Sequence, residues 1–201
     1  MVEAAGWSRR LAAALGFLVL VGCAASSGPA TVDPKTGYLP VAVIPGMGLD
    51  KGSTVTDLRV DFEKYQGRML VTGPTSAREQ LAAIGAFGDV FDNDELQRRV
   101  IAAGLQDQVQ NTDDPIGISR AYKYYKPFLW MHWEVKKEFG GVFARIIVTE
   151  PGTGQDLFIA STRACDAEGC MQNPGTLYPL FNSFIDWVRK NGGAVKTGPG
   201  N

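Results

Sequence analysis

The sequence predicts a single α+β domain: a mostly antiparallel sheet with helices packed on one face. Two observations support this prediction. Alternating apolar runs separated by glycine-rich turns fill the second half of the chain, which indicates an antiparallel meander. Segments with the apolar spacing of helices stand before the meander and after it. The chain has 201 residues, of which 45% are hydrophobic, so it can bury one core of ordinary size.

The first half of the domain is predicted to be mixed. The predicted strands are an edge strand at 39–44, the two strands of a hairpin at 58–62 and 68–72, and a short extended segment at 87–91. The predicted helices span 76–85, 92–104 and 116–126. Alternation indicates the strands at 39–44 and 58–62, and the run at 68–72 after a turn completes the hairpin. Ser76 and Asp92 each stand three residues before a glutamate, the spacing of a capping box. Pro127 is expected to stop the third helix.

The second half is predicted to hold the meander and a C-terminal helix. Its three strands are expected at 128–135, 142–149 and 157–162. A glycine pair and a Pro-Gly turn separate the runs, as in consecutive hairpins. The final helix is expected to begin near Pro179, since proline suits a first turn, and to end at Gly192.

The N-terminus carries a targeting signal rather than a part of the domain. Arg9 and Arg10 precede an apolar run that is too short to span a bilayer, the pattern of a secretory signal. The run ends in the tetrapeptide Leu20 to Cys23, which resembles the lipobox of bacterial lipoproteins. In that family the signal is cut before the cysteine, the thiol receives a diacylglycerol, and the new N-terminus is usually acylated with a fatty acid such as palmitate. The alternatives are a cysteine that lies near the cut by chance and an uncleaved short anchor.

The resemblance implies a lipid-anchored protein of the cell envelope, held to the membrane through Cys23. We therefore divide the chain into a signal peptide at 1–22, a flexible tether at 23–38, one α+β domain at 39–192 and a disordered tail at 193–201. In Gram-negative lipoproteins an aspartate after the cysteine favours retention in the inner membrane. Ala24 occupies that position here, so we expect the outer membrane, with the domain facing the periplasm.

The charge balance excludes one class of partner. Residues 1–22 hold two arginines and one glutamate, so the remaining 179 residues carry 18 basic and 20 acidic side chains, a net charge of −2. Nucleic acid is not an expected partner, because its binding requires a strongly basic surface. Cys165 and Cys170 remain after cleavage and are predicted to form a disulfide in an exported protein. A redox pair or half of a metal site is the alternative, although the spacing is not CxxC.

No catalytic set stands out in the sequence. His132 is the only histidine, so a multi-histidine metal site is excluded and any Ser-His-Asp triad would depend on that residue. The acidic residues Asp92, Asp94 and Glu95 could serve a glycosidase in principle, but carboxylates at a helix start also complement the helix dipole. The glycine-rich stretch 46–52 lacks the phosphate-loop lysine pattern and is predicted to be a turn. We expect no cofactor and no metal.

A segment that interleaves bases and aromatics is the predicted partner-binding surface. Its residues are Arg120, Tyr122, Lys123, Tyr124 and Lys126. Such side chains suit an interface with one apolar and one wet side. We therefore expect a non-catalytic lipoprotein that binds or scaffolds another envelope protein or a cell-wall component. The alternatives are an envelope glycan hydrolase that uses carboxylates and a carrier that holds a small ligand among the aromatics of 128–135.

Overall fold

A computed structural model describes residues 28–41, 51–138, 141–164 and 174–198. These residues form an α+β domain with a six-stranded sheet and four α-helices. The strands are β1 to β6, at Ser53–Asp57, Arg68–Val71, Asp89–Phe91, Leu129–Glu138, Gly141–Glu150 and Gln155–Ala164. The helices are α1 to α4, at Thr75–Ile84, Asn93–Ala102, Pro115–Tyr124 and Pro174–Lys190. A single 3₁₀ turn lies at Phe62–Tyr65 within this part of the chain.

The sheet is mixed, so the prediction of a mostly antiparallel sheet is wrong. Its strand order is β1-β6-β5-β4-β2-β3, and β2 runs parallel to both of its neighbours. The physical reason lies in the connections. A helix between two strands carries the chain back to the edge where the first strand began, so the second strand runs parallel to the first. The helix α1 makes this connection from β2 to β3, and α2 with α3 makes it from β3 to β4.

The meander and the C-terminal helix are confirmed. The strands β4, β5 and β6 pair antiparallel in succession, with Met131 opposite Val148 and Val148 opposite Phe158. The helix α4 begins at Pro174, five residues before the predicted start, and Pro179 lies inside it. It ends where predicted, since Gly192 has a φ of 79° and its N–H donates to the carbonyl of Arg189.

The predicted hairpin is wrong. Residues 58–62 form no strand, and β1 lies earlier in the chain and pairs with β6. The carboxylate of Asp61 accepts a hydrogen bond from the N–H of Glu63 and so caps the 3₁₀ turn. Gln66 follows with a φ of 52°, which ends the turn in the left-handed region. The alternating apolar residues therefore belong to a turn, and Phe62 of this turn packs against the larger of two core clusters.

The helices cover both faces of the sheet, not the one face that was predicted. Neighbouring residues of β2 point to opposite sides, with Met69 in one core cluster and Leu70 in the other. The larger cluster lies under α1 and α4, and we name these helices the α1–α4 layer. The smaller cluster lies under α2 and α3, the α2–α3 layer. Its buried residues are Leu70, Phe91, Leu96, Val100, Val109, Ile118, Ala121 and Phe128.

The two terminal segments pack against the α1–α4 layer. Val32, from the predicted tether, is 1% exposed and pairs with Thr197, from the predicted disordered tail. The N–H of Lys196 donates to the carbonyl of Ile84 at 2.8 Å. The described parts of the predicted tether and tail therefore belong to the folded domain. Both segments lack apolar periodicity, yet single residues such as Val32 and Leu39 are buried in the larger core cluster.

The three predicted helices before the meander, the strand at 68–72 and the short extended segment at 87–91 are confirmed, with small differences in their bounds. Asp92 caps α2 through a 2.9 Å hydrogen bond from the N–H of Glu95, as predicted. Pro74 rather than Ser76 occupies the N-cap position of α1, so the first capping box does not form. Residues 39–41 are not a strand, and the rest of the predicted edge strand lies outside the described residues. Within the described ranges, every helix is too short or too polar to cross a membrane.

Candidate functional site

The helix α3 buries one side and exposes the other. Asp114 caps it by accepting a 2.7 Å hydrogen bond from the N–H of Gly117, and proline fills its first position. Ile118 and Ala121 face the smaller core cluster. Ile116, on the opposite side, is 69% exposed, and Tyr124 is 45% exposed. Two large apolar side chains therefore stand on the outer side of one short helix, and neither belongs to a core cluster.

Three cations lie on the same outer side of the molecule. Arg120, Lys123 and Lys126 are exposed, and among the described residues none of them takes part in an ion pair. Lys123 Nζ lies 5.0 Å from the ring centre of Tyr124. The five exposed residues form what we name the α3 patch: Ile116, Arg120, Lys123, Tyr124 and Lys126. Four of them were predicted from the sequence as partner-binding residues.

Tyr122, the fifth predicted residue, points inward instead. Its hydroxyl donates to Glu150 Oε1 at 3.2 Å, and its ring packs edge-on against Phe128, with ring centres 5.9 Å apart. A Cβ added at Gly152 would stand 2.6 Å from the Tyr122 ring, so the β5–β6 turn rests directly on that ring. The tyrosine therefore forms the floor between α3 and this turn rather than a part of the exposed patch.

Two surface depressions flank α3 on the side of the β5–β6 turn. One of about 410 Å³ is lined by Tyr122, Lys123 and Lys126, among others. A second, of about 370 Å³, is lined by Ile116, Arg120 and residues of the turn. The two share Ser119 and Gly152, so they adjoin each other beside the patch, and we refer to them together as the groove. Sequence reasoning missed Ile116 and this groove, although the helical spacing of Ile116, Arg120 and Lys123 indicates that they share a side.

Glu150 holds the floor of this groove in place. Its carboxylate accepts hydrogen bonds from Lys64 Nζ, Tyr65 Oη at 3.1 Å and Thr153 Oγ1 at 3.0 Å, besides Tyr122. Burial alone would raise the pKa of Glu150, but the hydrogen bonds from Lys64, Thr153 and Tyr65 outweigh it and hold that pKa below its usual value. Burial and the nearby carboxylate raise the pKa of Tyr65 and Tyr122, so both hydroxyls remain donors. The cluster ties the 3₁₀ turn, α3 and β5 together.

His132 belongs to a chain of hydrogen bonds whose order does not match a catalytic triad. Its Nε2 lies 3.0 Å from Thr149 Oγ1, whose hydroxyl donates to Asp156 Oδ1 at 2.7 Å. Because the Thr149 proton is used on Asp156, His132 Nε2 must be the donor to Thr149. In a catalytic triad the histidine stands between the nucleophile and the acid. Here the hydroxyl of Thr149 stands between the histidine and Asp156. Trp130 stacks on the imidazole at 4.3 Å, and burial lowers the pKa of His132.

Of the three carboxylates considered for glycoside hydrolysis, two bind other residues of the domain and one is exposed to solvent. Asp92 caps α2 and pairs with Arg78 at 2.6 Å. Glu95 pairs with Arg99 and Arg98, and the hydrogen bonds from these arginines lower the pKa of Glu95. Asp94 is exposed in the first turn of α2. No cluster of three potential metal ligands occurs within the described ranges. The anchor residue Cys23 and the pair Cys165 and Cys170 lie outside those ranges.

Comparison with protein-family models, with curated proteins and with solved structures gives no match for this chain.

Proposed function

We propose that the protein is a lipid-anchored lipoprotein of the cell envelope whose domain binds another envelope component through the α3 patch. The observation that supports the binding role is the composition of the α3 patch. It combines an isoleucine that is 69% exposed, a tyrosine that is 45% exposed and three cations without an ion-pair partner among the described residues.

The composition of the patch indicates what it would bind. Tyrosine and arginine are enriched among the residues that carry most of the energy of an interface. Unpaired cations around them favour a partner with acidic groups and speed its association. The groove between α3 and the β5–β6 turn, built on Tyr122, offers a place for a side chain or sugar of that partner. The expected partner is an acidic segment of an envelope protein or an acidic cell-wall polymer.

The proposed attachment rests on the resemblance of Leu20 to Cys23 to a lipobox. Each buried CH₂ of an acyl chain contributes about 0.8 kcal/mol, so two or three chains would hold the domain stably at a membrane where one would not. Ala24 favours the outer membrane if the source is Gram-negative. The domain would then act at a fixed distance from that membrane.

The two alternative functions receive less support from the geometry. The carboxylates of α2 serve as a helix cap and in ion pairs, which does not favour a hydrolase. A carrier would need space among the aromatics next to the sheet. The rings of Phe158 and Trp187 instead stack at 5.2 Å between the sheet and α4, and both residues are at most 2% exposed.

Site-specific photo-crosslinking in intact cells tests the binding role. A photoreactive amino acid replaces Ile116 in the patch or, as a matched control, Ile101, which is 50% exposed on α2. We expect a discrete crosslinked product from position 116 that is weak or missing from position 101. The product should decrease when Arg120→Glu is added, because the charge that attracts an acidic partner is reversed. Equal products from both positions, or a product that ignores Arg120→Glu, would contradict the proposal.

A further inference from the structure

We infer that the short connection to Cys23 places the α1–α4 layer against the lipid surface and turns the α3 patch away from it. The inference rests on the proposed lipid anchor. It deepens the proposed function because it excludes the headgroups of the anchoring membrane as the occupant of the patch. The interaction surface that it adds is the outer side of the α1–α4 layer, and its partner is the bilayer itself.

The chain is fixed to the domain from Ala30 onward. The N–H of Ala30 donates to Gln80 Oε1 at 2.9 Å, and Gln80 Nε2 donates to the Ala30 carbonyl at 2.8 Å. Gln80 belongs to α1 and is 2% exposed, so this reciprocal pair is partly buried. Two residues later, Val32 is 1% exposed and pairs with Thr197. A lipid on Cys23 would therefore pull on the domain at Ala30.

The connection is short compared with the domain. Six residues, 24–29, separate Cys23 from Ala30, which makes seven Cα–Cα steps. The distance between the two residues cannot exceed about 25 Å, because an extended chain advances by at most about 3.6 Å per residue. If the six residues behaved as a random coil, they would span about 13 Å on average. A compact domain of this size has a diameter of about 38 Å, from a radius of gyration of about 15 Å.

The attachment point and the α3 patch lie on opposite sides of the sheet. Ala30 is bonded to α1, which shares the larger core cluster with α4. The helix α3 packs on the smaller cluster across the sheet. A sheet with a helix layer on each side is about 30 Å thick, at about 10 Å for each layer. A connection that averages about 13 Å is shorter than this thickness, so it holds the α1–α4 layer nearer to the bilayer than the patch.

The exposed charges of the α1–α4 layer are of both signs and do not themselves select a lipid. Lys35, Glu79 and Arg189 are all exposed there. The orientation is consequently set by the length of the connection and not by attraction to headgroups. Lengthening the connection should abolish it.

Short-range fluorescence quenching measures this orientation. A fluorescent amino acid replaces Ala82, exposed on α1, or Ile101, exposed on α2, in the mature lipidated protein. Each variant is bound to preformed vesicles of phosphatidylethanolamine and phosphatidylglycerol that contain lipids with a nitroxide on the headgroup. We expect the quenched fraction at position 82 to be at least threefold that at position 101. Equal quenching, or stronger quenching at position 101, would overturn the inference.

A matched variant isolates the role of the connection. Thirty glycine and serine residues inserted between Ala24 and Ala25 should bring the two quenched fractions to within a factor of 1.5, since the longer chain lets the domain turn over. A difference that persists in this variant would show that the connection does not set the orientation. If the unaltered protein fails to float with the vesicles, the lipid anchor itself is refuted and the inference falls with it. Flotation with equal quenching refutes the orientation alone.

Discussion

The two faces of the sheet differ in what they bury and what they leave exposed. Under the α1–α4 layer, aromatic side chains fill the core, and Trp187 packs at 5.2 Å from both Phe62 and Phe158. Both terminal segments also fold onto this side. The α2–α3 layer covers a smaller cluster and keeps Ile101 and Ile116 exposed. The buried aromatic side chains and the terminal segments are thus concentrated on one face. We therefore expect stability to depend mainly on that face, and we propose that the outer side of the other serves recognition.

The largest effect is expected from truncating the aromatic core. Trp187→Ala should lower the free energy of unfolding by about 3–5 kcal/mol, because it removes a buried ring and leaves a cavity among Phe62, Phe158 and Phe184. It also deprives the Leu58 carbonyl of the 3.0 Å hydrogen bond from the indole. Urea unfolding followed by circular dichroism measures the loss.

Ile101→Ala, on the outer side of the α2–α3 layer, is the matched control for the aromatic core. It should change the free energy of unfolding by no more than about 0.5 kcal/mol, as surface substitutions usually do. Similar losses for the two variants would mean that the two faces do not differ in the way described.

A smaller effect is expected at Glu150, which joins the two sides of the molecule. Glu150→Gln should lower the free energy of unfolding at neutral pH by about 1.5–3 kcal/mol, the usual range for hydrogen bonds to a charged group. Because the pKa of Glu150 is lower when folded than when unfolded, its stabilisation is present above the unfolded pKa and is lost as the pH falls through the folded pKa. The difference between the two proteins should therefore shrink as the pH falls below about 4.5. A difference that stays constant from pH 7 to pH 3 would contradict the ionic role of this carboxylate.

His132 should give a weaker pH dependence in a different range. Burial lowers its folded pKa, so the unfolded chain binds a proton first and the folded state loses stability as the pH falls below about 6.5. His132→Gln keeps a donor near Thr149 and should flatten the stability curve between about pH 6.5 and pH 5. Thermal unfolding of both proteins across this range checks the sign. A curve for the variant that is as steep as that of the parent would show that another group is responsible.

The smallest effect on stability, and the clearest effect on binding, is expected at the α3 patch. Arg120→Glu should leave the free energy of unfolding within about 0.5 kcal/mol of the parent value, since Arg120 is exposed. It should slow association with the crosslinked partner and weaken the dependence of that rate on salt. Lys35→Glu, an exposed charge on the other face, is the control and should leave the rate unchanged. Equal slowing by both variants would indicate an effect of net charge alone.

Local sequence signals predicted the elements whose partners are close in the chain. The meander followed from alternation and glycine turns, and Asp92 marked the start of α2. The position of β2 between β3 and β4 depends on contacts across 60 residues, such as Met69 opposite Leu129, and no local pattern encodes it. The alternation around Val60 was misread as a strand because a capped turn can bury the same residues.

The candidate site was predictable in composition but not in orientation. The cations and Tyr124 of the α3 patch were identified from the interleaving of bases and aromatics. Tyr122 was grouped with them, yet it faces Glu150, which is 28 residues away in the chain. Ile116 was overlooked because an apolar residue in a helix is usually buried, and only the position of the core shows that this one is not.

The mass and location of the mature protein test the lipid anchor on which attachment and orientation depend. Expressed in a bacterial host, the protein should be recovered from the membrane fraction as residues 23–201 with the added mass of a diacylglycerol and an amide-linked fatty acid on Cys23. Cys23→Ser should lose that added mass and the cleavage before residue 23. Recovery of the parent protein with an unmodified Cys23 thiol, or with its N-terminus at another residue, would contradict the account.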